Sequence, residues 1–241
     1  MDSIAKLDVL AIAAHRDDTE IVCGGTIIKL VDLGYKVGIL DLTAGESGSR
    51  GDAITRQREA DCAAEVMRLT FRHNLHLPDA GLFLTQENAL AVAEIIRAAK
   101  PELVILPYID GQRHPDHSAA GEIGYRGCFL AGLGKMPIAG EPHRPRKILY
   151  SCSFLETRPS LIIDISSQYE RKCQAVACYK SQFEEIPGQR DVYPPARNIF
   201  DFMEIQNRRY GYMIGAKYGE AFYQKEIMSV DDPLKLPGKS I

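Results

Sequence analysis

The sequence predicts an α/β fold, a Rossmann-like three-layer sandwich with helices on both faces of a mostly parallel sheet. Short apolar runs alternate along the chain with longer segments whose apolar residues recur at helical spacing. Strands buried on both faces appear as nearly continuous apolar runs, and crossover helices join parallel strands. The 241 residues contain no internal repeat and no low-complexity linker, so we expect one domain over 1–241.

The first part of the chain follows this alternation closely. Residues 7–14 predict a buried strand because the run carries a single early charge. Apolar residues at roughly helical spacing over 19–33 predict a helix, which Gly34 would end. The same patterns predict strands over 36–42, 74–77 and 103–108, and helices over 55–69 (with Thr55 as its cap), 87–100 and 118–131.

The last third of the chain departs from the regular alternation of strand and helix. Strands are predicted over 147–154 and 161–165, and helices over 167–180 and 200–217. The closing residues, about 229–241, match no periodic pattern, and we expect them to be irregular.

Composition argues against several classes of function. The net charge of −3 offers no positive footprint for nucleic acid, so we expect no nucleic-acid partner. No stretch approaches about 18 consecutive apolar residues, which argues against a membrane span, and no signal peptide is evident. The six cysteines form no C-x-x-C pair. We therefore expect reduced cysteines acting as small core residues in a cytoplasmic protein.

Polar loops follow three of the predicted parallel strands, over 15–20, 43–52 and 110–117. Open α/β sheets bind ligands outside the carboxyl ends of their strands, so these loops mark the expected site. The first loop holds His15, Asp17, Asp18 and Glu20 within six residues. Buried charge is costly unless it is paired or bound to a metal.

The third loop adds His114, Asp116 and His117 in the sequence R-H-P-D-H. Together the two loops can supply two imidazoles and a carboxylate, the three protein ligands that a catalytic zinc site needs. Simpler interpretations exist: Asp17 or Asp18 could cap the following helix, and the two histidines could be surface residues. The same ligand types also form the iron site of non-haem oxygenases, but those sites belong to β-barrel proteins.

These motifs resemble those of the zinc-dependent N-acetylglucosaminyl deacetylases, the PIG-L/LmbE-like family. A-H-R-D-D at 14–18 and H-P-D-H at 114–117 carry the resemblance, and Arg16 stands where the family usually has proline. Further matches are G-G-T-I at 24–27, L-T-A-G-E-S-G-S-R-G at 42–51, T-R-Q-R-E-A at 55–60, L-P-D at 77–79, Y-K-S-Q-F at 179–183 and Y-G-E-A-F at 218–222. The pattern looks most like the bacillithiol-biosynthesis branch, which acts on N-acetylglucosaminyl malate.

The resemblance implies a role for each group of the two clusters. His15, Asp18 and His117 would hold Zn²⁺, with Fe²⁺ as the alternative in the cell. Asp17 would be the general base that takes a proton from water. His114 would stabilise the developing oxyanion, protonate the leaving amine, or both. Asp116 would hold His114 in the required tautomer.

Contacts with the substrate are also expected. Malate carries two carboxylates, which arginine binds in bidentate fashion, and Arg56 and Arg113 flank the expected site. Glu46 would bind sugar hydroxyls or hold a loop arginine, and Tyr193 would complete the pocket. Arg16 would add a cation near the mouth of the site.

Three broader expectations follow from the resemblance. The partner is a small N-acetylglucosamine conjugate, and inositol-linked or chitooligosaccharide substrates stay open beside the malate conjugate. A sugar-binding or metal-binding module without turnover is the non-enzymatic alternative. We also expect a homo-oligomer, a trimer or a hexamer.

Overall fold

The computed structural model describes residues 4–109, 114–152, 158–184 and 198–235. Seven strands in these ranges form one sheet. They are β1 (Val9–Ala13), β2 (Val37–Thr43), β3 (Phe71–Leu77), β4 (Leu103–Pro107), β5 (Lys147–Ser151), β6 (Leu161–Asp164) and β7 (Gly219–Tyr223). The helices are α1 (Asp18–Asp32), α2 (Ala53–Met67), α3 (Gln86–Ala99), α4 (Pro115–Ala131), α5 (Tyr169–Ala177), α6 (Lys180–Phe183) and α7 (Ile199–Met213).

The sheet is parallel over most of its width, which confirms the predicted α/β class. Its strand order is β3-β2-β1-β4-β5-β7-β6, and the first five of these neighbours pair in parallel. Strand β7 lies antiparallel between β5 and β6. From β1 the chain adds β2 and β3 on one side of the sheet and β4 and β5 on the other. This reversal of direction marks the switch point of a doubly wound sheet.

Two apolar layers cover the sheet. Leu10 of β1 packs into the layer beneath α3 and α4, whereas its neighbour Ala11 packs into the layer beneath α1, α2 and α5. Successive strand residues point to opposite faces, so both faces of β1 are buried. This double burial explains the unbroken apolar run that predicted the strand.

Helix starts differ from their predicted positions for local reasons. Helix α2 begins at Ala53 because the Asp52 carboxylate accepts from the Thr55 N–H at 2.7 Å, so Asp52 rather than Thr55 is the cap. Helix α4 begins at Pro115, with His114 as its N-cap residue. Proline is favoured in the first helical position, and this start places Asp116 and His117 in the first turn rather than in a loop.

Strand predictions differ at two places. Strand β3 begins at Phe71 rather than at residue 74, and the prediction missed β7 entirely. Strand β5 ends at Ser151, and residues 153 and 154 of the predicted strand over 147–154 are outside the described ranges. Of the tail, the structure describes only residues up to 235, which contain one short turn of 3-10 helix, Pro233–Lys235.

The cysteine expectation is wrong for one pair. Cys62 of α2 and Cys178, at the end of α5, form a disulfide across 116 residues of sequence. Cys23, Cys128 and Cys152 are free and buried, as expected of small core residues. Among the described helices, none has the length and apolar character that crossing a membrane requires.

Candidate metal centre and active site

The two predicted clusters meet at the carboxyl ends of β1 and β4, which are neighbouring strands. The residues after β1 lead directly into α1, and His114 and His117 stand at the start of α4. Residues 110–113 of the connecting loop lie outside the described ranges. This edge lies at the switch point of the sheet, where open α/β folds place their ligands.

His15, Asp18 and His117 converge in a geometry suited to a metal ion. Nε2 of His117 lies 3.0 Å from Oδ1 of Asp18, and Nδ1 of His15 lies 3.3 Å from Oδ2 of the same carboxylate. One ligand atom from each of the three residues lies within 4.8 Å of the others. Two imidazoles and one carboxylate are a donor set that zinc uses in catalytic sites.

Carboxylates surround His15 on its other side. Nε2 of His15 lies 3.1 Å from Oδ1 of Asp79 and 3.7 Å from Oδ2 of Asp116. Burial alone would lower the pKa of His15, but Asp18, Asp116 and Asp79 together raise it to about 12. Such an excess of buried negative charge calls for a cation, either a proton or a metal ion.

The Asp17 side chain is not engaged as a helix cap. It occupies the N-cap position of α1, but within the described chain its side chain makes no cap hydrogen bond. Its Oδ1 lies 3.7 Å from Nη2 of Arg56. Burial raises the pKa of Asp17, while the Arg56 guanidinium opposes that rise. The helix-capping alternative is therefore not supported for this residue.

His114 faces the same cluster from the start of α4. Its ring centroid lies 4.8 Å from that of His15, and its Nδ1 accepts from the main-chain N–H of Asp116 at 3.3 Å. This bond places the proton of the neutral ring on Nε2. Burial, together with the charges of His15 and His117, lowers the pKa of His114 and favours its neutral form.

The Asp116 carboxylate makes its hydrogen bonds with groups other than His114, although one of its oxygens lies within 4.8 Å of a His114 ring nitrogen. Its Oδ2 accepts from the Ala80 N–H at 2.8 Å and faces His15. The contact between His114 and Asp116 that we expected therefore runs through the Asp116 main chain. The Asp116 carboxylate instead helps to hold His15 and the loop after β3.

Asp79 is a site residue to which the sequence analysis assigned no role, although it ends the matched L-P-D motif. Its Oδ2 accepts from the Ser47 N–H at 2.8 Å, and its hydrogen bond to His15 helps to lower the pKa of its carboxyl group to about 2. Glu46, predicted to touch the sugar or an arginine, accepts from the Asp79 N–H at 2.8 Å. The sequence signal for a functional role of Asp79 is its position, two residues after the end of a parallel strand.

The predicted substrate-binding arginine Arg56 is buried in the wall of the site. Its Nη1 donates to the Gly45 carbonyl at 2.7 Å, and the residue is 5% exposed. Gly45 has a φ of +72°, and a Cβ there would come within 1.9 Å of the guanidinium. Arg113 and Tyr193, the other predicted substrate contacts, lie outside the described residues.

Arg16 is also not where we expected it. A position near the mouth of the site was predicted, but the residue is 2% exposed and its side chain points to α2. A loop position in sequence suggested solvent, and the packing of α2 against the loop overrides that suggestion.

Comparison with known proteins identifies the family. The sequence profile of PIG-L, described as GlcNAc-PI de-N-acetylase, matches residues 10–127. A diacetylchitobiose deacetylase from Thermococcus kodakarensis is 33% identical over 230 residues, covering 88% of this chain and 80% of the relative. The chain belongs to the PIG-L family of deacetylases.

Solved structures agree with this membership. A conserved protein from Thermus thermophilus superposes on this PIG-L family chain with a TM-score of 0.84 and 35% identity, covering 93% of this chain and 98% of that one. The N,N'-diacetylchitobiose deacetylase from Pyrococcus horikoshii gives a TM-score of 0.75 and 26% identity, with 89% and 82% covered.

Proposed function

We propose that this chain is a metal-dependent N-deacetylase that hydrolyses the acetamide of an N-acetylglucosamine conjugate to acetate and a free amine. The observation that carries the proposal is the meeting of the His15, Asp18 and His117 ligand set with Asp17 at the switch point of the sheet. Asp17 lies beside a ligand but is not itself part of that set.

The donor set fits zinc, and Fe²⁺ is the alternative that the same ligand types allow. His15, Asp18 and His117 would hold the ion, and the carboxylate of Asp79 would orient the His15 ring. A divalent ion held there would supply the Lewis acid that polarises the acetamide carbonyl.

Asp17 would act as the general base. Its carboxylate is not engaged in capping α1, and Arg56 stabilises the ionised form that can accept a proton. It would take the proton of the attacking water, whose oxygen forms the new bond to the acetyl carbon.

His114 would act on the acetamide oxygen or on the leaving amine. The Nδ1 contact with the Asp116 main chain leaves Nε2–H available to the site. That proton would stabilise the developing oxyanion, or pass to the amine nitrogen when the C–N bond breaks.

The aglycone is the finer part of the proposal. The resemblance of the motifs to the bacillithiol branch supports N-acetylglucosaminyl malate, whose carboxylates Arg56 and Arg113 would bind. Diacetylchitobiose is the second candidate, because a 33% identical relative is named for that substrate. A homo-oligomer, a trimer or a hexamer, and a cytoplasmic location stay predictions, as does the single domain.

Acetate release by the zinc-loaded protein tests the proposal. N-acetylglucosaminyl malate, N-acetylglucosaminyl inositol and diacetylchitobiose would be assayed side by side. We expect zinc-dependent acetate release, with the preferred conjugate identifying the branch. No acetate from any of them, with metal bound in stoichiometric amount, would favour a different amide substrate or the non-catalytic binding module.

An Asp17→Asn variant sharpens the assay. We expect it to keep its metal and to lose turnover by at least about a hundredfold, the lower end of what a general base contributes. Asp201→Asn, an exposed aspartate of α7, is the matched control and should retain full activity. Unchanged turnover in Asp17→Asn would remove Asp17 from the mechanism.

A further inference from the structure

Arg16 is the largest buried side chain whose role the proposed chemistry leaves open. It stands between His15 and Asp17 in the chain, yet it is 2% exposed and ranks among the largest fully buried side chains. A buried guanidinium is costly unless its donors are satisfied. The contacts of the Arg16 side chain and main chain therefore indicate its role.

The Arg16 guanidinium is anchored on α2. Nη1 donates to the Ala53 carbonyl at 2.8 Å, and Nη2 donates to Oε1 of Gln57 at 2.5 Å. Within the part of the chain that the structure describes, no carboxylate forms an ion pair with it. Both acceptors are neutral: the Ala53 carbonyl belongs to the helix backbone, and the Gln57 side chain is held by its own hydrogen bond to Asp61 at 2.7 Å. The contact therefore carries direction as well as attraction.

The main chain of Arg16 is anchored on the opposite side. Its carbonyl accepts from Nη2 of Arg72 and from the Tyr179 hydroxyl. Arg72 is itself held by Asp41, with Nε 2.9 Å from Oδ2, and the Tyr179 hydroxyl oxygen also lies 2.8 Å from Oε1 of Glu20. Residue 16 is thus fixed at both its side chain and its carbonyl.

The same turn of α2 also holds the next residue of the loop. Gln57 contacts Arg16, and its neighbour Arg56 faces Asp17 across 3.7 Å. Two consecutive residues of α2 therefore contact two consecutive residues of the loop that carries the ligand His15. A shift of α2 relative to this loop would move Arg56 away from Asp17.

We propose that Arg16 is a positioning residue that clamps the 15–18 loop to the first turns of α2. An arginine leaves the backbone φ free, unlike proline, so the orientation of the loop has to come from such contacts. The clamp keeps Asp17 facing Arg56 and holds His15 and Asp18 at the metal-binding geometry. This inference rests on the proposed function for the role of Asp17, but the clamp itself is a property of the metal loop.

Two variants and one control test the clamp. Arg16→Met keeps much of the side-chain length but removes both hydrogen bonds, and Arg16→Lys keeps the charge and one donor group. Arg58→Met removes an exposed arginine of the same helix and is the matched control. Co²⁺ would be titrated into each metal-free protein, with its visible absorption spectrum reporting the ligand geometry.

We expect Arg16→Met to bind Co²⁺ about tenfold to a hundredfold more weakly, with an altered spectrum, because residues that orient metal ligands contribute on that scale. Its kcat should fall by up to about a hundredfold while KM changes less than about twofold, as expected for a misplaced catalytic group. Arg16→Lys should recover part of both losses, and Arg58→Met should match the wild type.

Gln57→Leu tests the same contact independently, by changing the α2 residue that accepts from Arg16. This residue is only half-buried, so the variant should fold even where Arg16→Met does not. We expect the same spectral change in smaller measure, and no further loss when it is combined with Arg16→Met, because both remove one interaction.

A wild-type spectrum, Co²⁺ affinity and kcat in Arg16→Met would overturn the clamp. So would a loss of thermal stability alone, which a purely structural role predicts. Gln57→Leu with wild-type properties would overturn it if Arg16→Met fails to fold. If the wild-type protein releases no acetate, the proposed function fails, yet the Co²⁺ measurements still decide on the clamp.

Discussion

Oδ1 of Asp79 lies 3.1 Å from Nε2 of His15, which joins the loop after β3 to the proposed metal ligand after β1. The other nitrogen of the same ring, Nδ1, faces Asp18 at 3.3 Å. A carboxylate on one imidazole nitrogen fixes the ring and its tautomer, and it raises the basicity of the other nitrogen. Asp79 would therefore prepare His15 for the proposed binding of a metal through Nδ1.

Replacing Asp79 should weaken metal binding without removing a ligand. Asp79→Asn keeps the shape of the side chain but withdraws the negative charge from His15. We expect zinc affinity to fall about tenfold to a hundredfold, measured by competition with a chromophoric chelator. Asp201→Asn serves as the control, and an affinity equal to that of the wild type would mean that Asp79 does not support the ligand.

Metal binding should release a proton from His15. In the metal-free protein its pKa is raised to about 12, so the ring is charged at neutral pH, whereas a metal requires the free lone pair. Affinity should therefore rise with pH, by about tenfold per unit in the neutral range, because fewer protons compete as pH increases.

Calorimetric titration of zinc in two buffers with different ionisation enthalpies measures this release. The difference in observed heat should correspond to about one proton per metal at pH 7. Equal heats in the two buffers would show that His15 is already neutral in the metal-free protein.

Arg56 should affect the base more than substrate affinity. Its guanidinium opposes the rise that burial imposes on the pKa of Asp17, so removing it should raise that pKa further. In Arg56→Met the acid limb of kcat/KM should move to higher pH, and kcat should fall by more than KM rises. A raised KM with unchanged kcat would instead leave Arg56 only the substrate-binding role that the sequence suggested.

The residues that the sequence identified share one property. His15, Asp18, His114 and His117 occur in short polar clusters, and the clusters near His15 and His114 follow apolar runs that mark buried parallel strands. Parallel strands place their carboxyl ends at one edge, so the strand pattern alone brings these clusters together. The fold class and the meeting of the two clusters follow from the same strand pattern, whereas the choice of His15, Asp18 and His117 as ligands rests on the family resemblance.

The residues that the sequence misplaced depend on tertiary packing. Asp79 acts through its contact with His15, which is distant in the sequence, and Arg16 is charged but lies beneath α2. Glu220 lies within β7, and a charged residue there argues against a buried strand until its partner is known. Neither hydropathy nor spacing reports such pairings.

Glu220 and Lys172 form the ion pair that allows β7 to be buried. Both side chains are fully buried, and Nζ of Lys172 lies 2.7 Å from Oε1 of Glu220. Glu220 also accepts from the N–H groups of Gly25 at 3.0 Å and Thr26 at 2.7 Å. These donors follow the break in α1 at Cys23, whose φ is −144°, so the carboxylate caps the resumed helix.

Removing only the lysine should leave a buried carboxylate without its counter-ion. Lys172→Met is therefore expected to lower the free energy of unfolding by about 3–5 kcal/mol, measured by urea denaturation. Lys180→Met, at an exposed position of α6, is the control and should stay within about 0.5 kcal/mol of the wild type. The double variant Lys172→Met/Glu220→Gln should recover part of the loss, because the glutamine amide oxygen still accepts from the helix while the unpaired charge is gone. A double variant less stable than Lys172→Met would show that the carboxylate charge stabilises the cap even without the lysine.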